Sequence, residues 1–438
     1  KIAVSLEKLS SVLIVNRSTK LNTTPHHDHA PIDPPHLHGQ KCLRGPLTTR
    51  LFSSATEPIP TPLHSLHLQL SGNMVSFANY SLPVLYGGEN GGVMKEHLWC
   101  RTDGKSSLFD VSHMGQIRWR GRDRVQFLEK VTVGDIGGLK EGQACLSLLT
   151  NEKGGIIDDT VVTNAGEFIY MVVNGATKHG DMEHFRNQME EFGGDVSMEY
   201  LEESMALLAL QGPGAAEAVG KVLKGVDLTK MPFMSGVDCA LDGVEGCRIT
   251  RCGYTGEDGF ELAIPAEHAI SIATALLSDP TVNPTGLGAR DSLRLEAGLC
   301  LYGHDIDGDI NPVEASLGWT MGGPGSRRRL EGGFLGAEHI LKPDGKFQKV
   351  VKKRVGLIGM KAPAREGTDI YDGEGKKVGV VTSGTFSPSL KKPIAMGYVE
   401  TGLSKVGTEV MLDVRGKMQK AEVTKMPFVE SRYYRVPE

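Results

Sequence analysis

Two adjacent aspartates lie in the middle of a stretch whose other residues favour a β-strand, and this combination limits how the chain can fold. Residues 151–164 read as a glycine turn followed by a β-branched run, with Asp158 and Asp159 at its centre. Strand side chains alternate between two faces, so the two carboxylates must point in opposite directions. A carboxylate on a packed face costs roughly several kcal/mol unless it is hydrogen-bonded or opens onto a ligand cavity. The pair therefore either caps a turn or meets an arginine, or one member faces a ligand.

The size and composition of the chain exclude several classes of protein. Its 438 residues are too many for one hydrophobic core, and 39% hydrophobic with 23% charged residues is typical of a globular protein. A formal charge of −5 gives no bulk attraction to nucleic acid, and no apolar run is long enough to span a membrane. The scattered cysteines, odd in number, include no C-x-x-C pair, so neither a disulfide framework nor a zinc site is indicated.

Residues 1–56 differ in composition from the rest of the chain. This segment is basic, poor in acidic residues and rich in Ser, Thr, His and Pro, which is typical of an organelle transit peptide. Its end, Arg50-Leu51-Phe52-Ser53-Ser54, resembles a mitochondrial presequence cleavage pattern. We expect a leader that is removed in the mitochondrial matrix, the alternative being an unstructured basic tail.

The remainder predicts an α+β fold followed by a small β domain. Between residues 57 and 330, strands, turns and helices alternate without strict repetition, which favours α+β layers over a Rossmann sheet. A glycine-rich loop at residues 87–92 lacks both the dinucleotide-binding spacing and the following helix. Residues 349–438 contain short, evenly spaced strands, which predict a β-barrel or jelly roll. The acidic segment 305–309 lacks the glycine and glutamate that a calcium loop requires, so we expect no metal.

Further candidate residues cluster at the ends of predicted elements. A hairpin partner of the aspartate strand ends on Asn174, whose amide can cap or bind. In residues 248–264, three glycines interleave with Tyr254 and Glu261, so backbone can approach a ligand beside an aromatic ring and a carboxylate. Such a carboxylate suits the N–H groups of a pterin-like ring, although a glycine hairpin with surface acids explains the pattern equally well. Arg290 and Arg294, one helical turn apart, either meet an anionic ligand or pair with neighbouring acids.

Several of these segments occur together, and in the same order, in one known family. They are residues 110–114 (D-V-S-H-M), 154–159 (G-G-I-I-D-D), 210–213 (L-Q-G-P), 250–259 (T-R-C-G-Y-T-G-E-D-G), 289–298 (A-R-D-S-L-R-L-E-A-G) and 387–389 (S-P-S). In combination they resemble the aminomethyltransferase, or T-protein, family of the glycine cleavage system, over residues 61–434. One departure is Asn79-Tyr80, where that family has Gly-Trp.

The resemblance implies a fold, a chemistry and partners. The fold would be a three-domain cloverleaf of two α+β lobes and a C-terminal barrel, with tetrahydrofolate in a central channel. The reaction would release ammonia and move a methylene carbon from the lipoyl arm of the H-protein to tetrahydrofolate, with the P- and L-proteins as functional partners. Asp159 would be catalytic, and the folate would be bound by a set of residues comprising Glu261, Arg290, Tyr254, Tyr433, Asn174 and Met114.

Two other functions are compatible with these motifs. One is a different tetrahydrofolate-dependent enzyme of the same superfamily, such as a demethylase. The other is a non-catalytic folate-binding protein, although the Lys-Gly-Cys-Tyr-x-Gly-Gln segment of such proteins is replaced here by residues 251–257 (R-C-G-Y-T-G-E). Nucleic-acid binding through Arg327, Arg328 and Arg329 conflicts with the net acidic charge; together with Lys391 and Lys392, these arginines are better interpreted as steering an acidic partner protein.

Overall fold

The computed structural model describes residues 57–436, so the predicted transit segment lies outside the described residues. The strands, numbered in chain order, are β1 Ile59–Pro60, β2 Gly72–Phe77, β3 Tyr80–Tyr86, β4 Ser106–Asp110, β5 Gly115–Arg120, β6 Ala144–Thr150, β7 Ile156–Asn164, β8 Ile169–Val173, β9 Ser197–Tyr200, β10 Met205–Gln211, β11 Leu223–Lys224, β12 Ser235–Leu241, β13 Val244–Arg251, β14 Gly259–Pro265, β15 Val282–Pro284, β16 Lys352–Ile358, β17 Asp369–Tyr371, β18 Lys377–Ser387, β19 Lys392–Glu400, β20 Glu409–Val414 and β21 Lys417–Thr424. The α-helices are α1 His64–Gln69, α2 Val93–Arg101, α3 Arg124–Val131, α4 Lys178–Phe192, α5 Ala215–Gly220, α6 Ala269–Leu277, α7 Leu287–Glu296, α8 Arg327–Glu331 and α9 Ala337–Ile340.

A seven-stranded sheet, in the order β11-β12-β13-β14-β10-β4-β15, forms the first lobe. All residues of β10 are buried, which explains its continuous apolar sequence. Leu208 and Leu210 point to a core shared with helices α5 and α6, whereas Leu207 and Ala209 point to the opposite face. The sheet is therefore covered on both sides.

A five-stranded antiparallel sheet, in the order β6-β7-β8-β5-β9, forms the second lobe. Met171 of β8 packs toward helices α3 and α4, whereas its neighbours Tyr170 and Val172 join the cluster that contains Leu207 and Ala209 of β10. The two sheets consequently share one apolar cluster. Strand β7, with its aspartates, lies next to β8 in this sheet.

Strands β16–β21 close into a barrel in the order β16-β19-β18-β17-β20-β21. Closure favours the barrel over the jelly roll that the strand spacing also permitted, and pairs the sheet edges with each other. The predicted α+β class with a C-terminal barrel is confirmed.

Helix α7 connects the lobes to the barrel. Its Ala289 and Leu293 belong to the cluster between the two sheets, and its Leu295 packs against Ile394 and Met396 of β19. At its C-terminal end, the buried Glu296 accepts hydrogen bonds from residues of other elements: Arg101 of α2, Ser387 of β18, and Ser389 in the turn that follows. This helix also carries Arg290, which is half-buried.

Two expectations from the sequence are wrong. A helix, α2, does follow the glycine loop, and the Glu96 carboxylate accepts from the backbone N–H of Gly92 at its start. The arginines at 327–329 are not a free cationic surface. Arg327 pairs with Glu129, Asp135 and Glu331, while Arg328 and Arg329 are buried and donate to backbone carbonyls.

Within residues 57–436, the structure contains no helix that is both long and apolar enough to cross a membrane.

Candidate active site

The two aspartates of β7 have different surroundings, as the strand alternation predicts. Asp158 is 0% exposed and lies on the same face as Thr160 and Val162, whereas Asp159 is half-buried on the face of Ile157 and Val161. The register pairs Val161 with Val172 of β8, so the ladder places Asp159 opposite the residue that directly follows β8. That residue is Asn174, the amide predicted to cap or bind.

Asn174 holds both carboxylates. Its side-chain Nδ2 lies 2.8 Å from Asp158 Oδ1 and 2.8 Å from Asp159 Oδ1, and its backbone N–H donates to Asp158 Oδ2 at 2.9 Å. Neither aspartate has a salt-bridge partner among the described residues. The turn-cap and arginine-pair explanations therefore do not account for Asp159, which is held by an uncharged amide.

The environment raises the pKa of Asp159 to about 7. Burial is the largest cause, followed by the negative charge of Asp158, while the hydrogen bond from Asn174 and the positive charge of Arg290 act in the opposite direction. A carboxyl group with a pKa near neutrality can both accept and release a proton at physiological pH. Asp159 thus has the protonation behaviour of a general base or acid.

Glu261 lies in β14, opposite Ala209 of β10 and Thr250 of β13. It is half-buried, and burial raises the pKa of its carboxyl group, partly offset by the charge of Arg290 and a hydrogen bond from the Cys252 thiol. A thiol is a weak donor, so most of the acceptor capacity of this carboxylate remains unused within the described chain.

Arg290 is the cation whose charge acts on both Asp159 and Glu261. Its positive charge lowers the pKa of both Asp159 and Glu261, and its guanidinium carbon lies 4.6 Å from the centroid of the Tyr254 ring. The Tyr254 hydroxyl donates to the Cys300 carbonyl, which fixes the ring under the guanidinium. Within residues 57–436, the Arg290 guanidinium interacts with acids through charge alone, without a direct ion pair. Its donors are therefore available to a ligand.

The remaining predicted residues, Tyr433 and Met114, make other contacts. The Tyr433 ring stacks on Phe233 with centroids 4.0 Å apart, and burial raises its pKa, with Cys252 among the groups that act on it. The neighbouring Tyr434 instead lies against Arg251, so the two tyrosines make different contacts. Met114 is half-buried and packs against the cluster between the sheets.

His113, in the segment 110–114 that carries part of the family resemblance, lies where the charge of Arg290 acts on it. It is 3% exposed, its ring meets Phe77 edge-on at 5.4 Å, and its Nδ1 has no partner among the described residues. Burial and the charge of Arg290 lower its pKa to about 3, so the ring is neutral at physiological pH. No sequence signal pointed to this contact, because the histidine and its neighbours belong to different elements.

No group of three or more His, Cys, Asp or Glu side chains within residues 57–436 is arranged to hold a metal ion.

Comparison with known proteins agrees with this architecture. The family described as "GCVT N-terminal domain" matches residues 63–322, and the "Glycine cleavage T-protein C-terminal barrel domain" matches residues 352–430. The mitochondrial aminomethyltransferase of Dictyostelium discoideum is 48% identical over 88% of this chain and 96% of its own length, and that of Mus musculus is 49% identical over 85% and 91%. The crystal structure of the glycine cleavage system aminomethyltransferase T from Bartonella henselae matches with a TM-score of 0.78 and 39% identity, over 86% of this chain and 100% of that one. The chain therefore belongs to the T-protein family, the aminomethyltransferases of the glycine cleavage system.

Proposed function

We propose that this chain transfers the methylene carbon of an aminomethyl group, carried as a thioether on the lipoyl arm of an H-protein, to tetrahydrofolate, with release of ammonia and of the lipoyl arm as its reduced dithiol. The observation that carries the proposal is Asp159, a half-buried carboxylate with a pKa of about 7 that is held by an amide instead of an ion pair. Tetrahydrofolate supplies the two nitrogens that take up the carbon, one in the reduced pterin ring and one in the adjoining aminobenzoyl group. The protein must bind the pterin, place the one-carbon unit beside it and stabilise positive charge as ammonia leaves.

The residues around Arg290 fit a reduced pterin. Glu261 offers a carboxylate with unused acceptor capacity, which matches the adjacent ring N–H and amino donors of a pterin. The Arg290 guanidinium and the Tyr254 ring beneath it offer free donors and a flat surface. We assign folate contacts to these three residues, with Tyr433 and Met114 as part of the wall and Asn174 beside the reacting carbon.

Asp159 would act at the carbon that is transferred. Its ionised form stabilises the cationic carbon centre that develops as ammonia departs, and it can accept the proton that a folate nitrogen loses when it bonds to that carbon. Asn174 fixes the direction of this carboxylate because its Nδ2 contacts Asp159 Oδ1 at 2.8 Å. A side chain in this role contributes roughly 10²- to 10⁴-fold to the rate, and the rest would come from holding folate and lipoyl arm together.

The wider biological setting follows from the same assignment. The relatives named above are mitochondrial by name, and residues 1–56 have transit-peptide composition, so we propose the mitochondrial matrix as the site of action. We further propose a lipoylated H-protein as the direct partner, with the P- and L-proteins as functional partners. The proposed domains are a folate-binding core at residues 57–330 and a barrel domain at residues 349–438.

A single assay tests the function: formation of methylene-tetrahydrofolate from purified protein, aminomethyl-loaded lipoyl carrier and tetrahydrofolate. We expect turnover by the wild type and a loss of roughly 10²-fold or more in Asp159→Asn, with folate affinity nearly unchanged. Asp309→Asn, at an exposed aspartate, is the matched control and should behave like the wild type. Wild-type turnover by Asp159→Asn at saturating folate would remove the catalytic role. Folate binding without any turnover by the wild type would instead favour the non-catalytic folate-binding alternative.

A further inference from the structure

A third buried carboxylate, Asp181, lies close to Asp158, the neighbour of Asp159 in strand β7. It sits in the first turn of helix α4, and both it and Asp158 are 0% exposed. Neither carboxylate oxygen of Asp181 has a hydrogen-bond partner among the described residues. The buried Lys178, one turn earlier, does not neutralise it, because its ammonium donates to the Tyr80 hydroxyl at 2.7 Å. The nearby Thr177 hydroxyl, which counteracts the rise in the pKa of both Asp158 and Asp181, donates to the Asn174 carbonyl at 3.2 Å, so Asp181 is a fully buried acid without a committed donor.

Asp158 and Asp181 act on each other. Burial and the proximity of Asp181 raise the pKa of Asp158 well above its usual range, and burial also raises the pKa of Asp181. Two buried carboxylates that face each other cannot both be charged at an acceptable cost, so one proton is retained between them. Both oxygens of Asp158 already accept from Asn174, at 2.9 Å and 2.8 Å. The retained proton therefore belongs on Asp181, where it donates to Asp158.

We propose that Asp158 and Asp181 share one proton at neutral pH and form a positioning pair that holds Asn174, and through it Asp159, in the reactive geometry. The catalytic meaning of the pair rests on the function proposed above. The proton on Asp181 lets Asp158 stay an acceptor on both oxygens. Asn174 must then turn its NH₂ group, and not its carbonyl, toward Asp158 and Asp159.

Other titratable groups face the pair from neighbouring elements. Arg290 of α7 acts on Asp159, while Tyr302 and Asp307 follow α7 in the chain. Burial, followed by the charge of Asp158, raises the pKa of Tyr302 to about 12, and its hydroxyl contacts the Ile156 carbonyl, so it is neutral and engaged elsewhere. Among these groups, none supplies the donor that Asp181 lacks.

Infrared spectroscopy of the full-length protein tests the pair without reference to activity. A protonated carboxylic acid has a distinct carbonyl stretch, and labelling with ¹³C-aspartate separates aspartate bands from glutamate bands. Within the described chain, Asp158, Asp159 and Asp181 are the aspartates whose pKa is raised. At pH 8.5, chosen to be above the pKa of about 7 of Asp159, we expect an aspartic-acid band to persist in the wild type. Its absence would overturn the proposal even if no variant folds.

Two variants then locate the proton and its effect. Asp181→Asn should lose the band but keep the pH dependence of kcat, because its amide can donate to Asp158 in place of the acid. Asp158→Asn should also lose the band, and the acid limb of the kcat profile should move down by about one pH unit because a negative charge beside Asp159 is gone. Glu183→Gln, exposed on the same helix, is the control and should change neither measurement.

The outcomes separate this inference from the proposed function. A band that survives in Asp181→Asn, or an acid limb that moves equally in both variants, would overturn the positioning pair. A band that behaves as expected in a protein without turnover would support the pair and count against the proposed function alone.

Discussion

Replacing Asp159 by asparagine should make the folded protein more stable while removing activity. In the wild type, burial and the nearby charge of Asp158 raise the pKa of Asp159 from 3.8 to about 7. A carboxyl group of this kind binds its proton more tightly in the folded state than in the unfolded state. The folded state therefore loses stability as the pH rises from the unfolded pKa to the folded one. Asparagine has nearly the same shape, and its side-chain carbonyl can still accept from Asn174 at Oδ1.

The size of the expected gain in folding stability follows from the pKa shift of Asp159. A rise of about 3 pKa units, at about 1.4 kcal/mol for each unit, corresponds to about 4 kcal/mol if Asp159 were fully buried. The residue is half-buried, and solvent screening reduces this to roughly 2 kcal/mol. The gain in the asparagine variant should be near zero below pH 4, grow between about pH 4 and 7, and stay constant above pH 7. Such a gain is expected where activity depends on a destabilised group.

The assay is denaturant and thermal unfolding of both proteins at pH 5 and pH 8. We expect Asp159→Asn to unfold at a higher midpoint at pH 8, with a rise in Tm of roughly 2–5 °C, and a smaller difference at pH 5. The exposed Asp309→Asn should remain within about 0.5 kcal/mol of the wild type at both pH values. A lower midpoint for Asp159→Asn at pH 8, or a difference that does not change with pH, would refute the reasoning.

Three further predictions concern the folate contact, the helix that carries Arg290, and the loop beside Asn174. Glu261→Gln should weaken tetrahydrofolate binding roughly tenfold, because a charged hydrogen-bond acceptor becomes neutral, while kcat at saturating folate is retained. Calorimetric titration measures the affinity, and an unchanged value would exclude the pterin contact. Glu296→Gln should destabilise the protein by about 3–5 kcal/mol, seen as a lower unfolding midpoint, because Glu296 is 0% exposed and anchors donors from several elements. Gly175→Ala should lower kcat, because its Cβ would lie 2.5 Å from His113 Cδ2 and displace the adjacent loop. The control Gly180→Ala meets open space in a helix and should stabilise by about 0.5–1 kcal/mol without changing kcat.

The sequence predicted those parts of the fold that depend on local patterns. Strand β7 agrees with its β-branched pattern, and the alternation along β7 correctly implied different surroundings for Asp158 and Asp159, although both carboxylates turn toward the same side-chain nitrogen of Asn174. Helix α2 was missed because its first turn follows a glycine-rich loop, and the cap that starts it comes from Glu96, four residues inside the boundary. Closure of the barrel was not determined by strand spacing, because it depends on pairing between β16 and β21.

The site could be predicted only where its residues lie in short motifs. Asp159, Glu261 and Arg290 stand in segments whose composition already suggested ligand contact. Asp181 carried no such signal, because an acid in the first turn of a polar helix usually faces solvent and favours the helix dipole. The prediction that Arg328 is a surface cation was wrong for the opposite reason. Its side chain is buried, and its N–H groups donate to backbone carbonyls at the end of helix α3. Burial of a charged residue depends on which elements pack around it, and this information is not local.

The residue type at position 174 explains how Asp159 can be held firmly and still be reactive. A lysine or arginine at this place would fix the carboxylate equally well, but its positive charge would lower the pKa of Asp159 and make it a poor proton acceptor at neutral pH. An amide donates to Asp158 and Asp159 at 2.8 Å each without adding charge. The positive charge that acts on Asp159 comes instead from Arg290, without a direct ion pair within the described residues. Orientation and charge are thus supplied by different residues, so the pKa of Asp159 can stay near 7 while its direction is fixed.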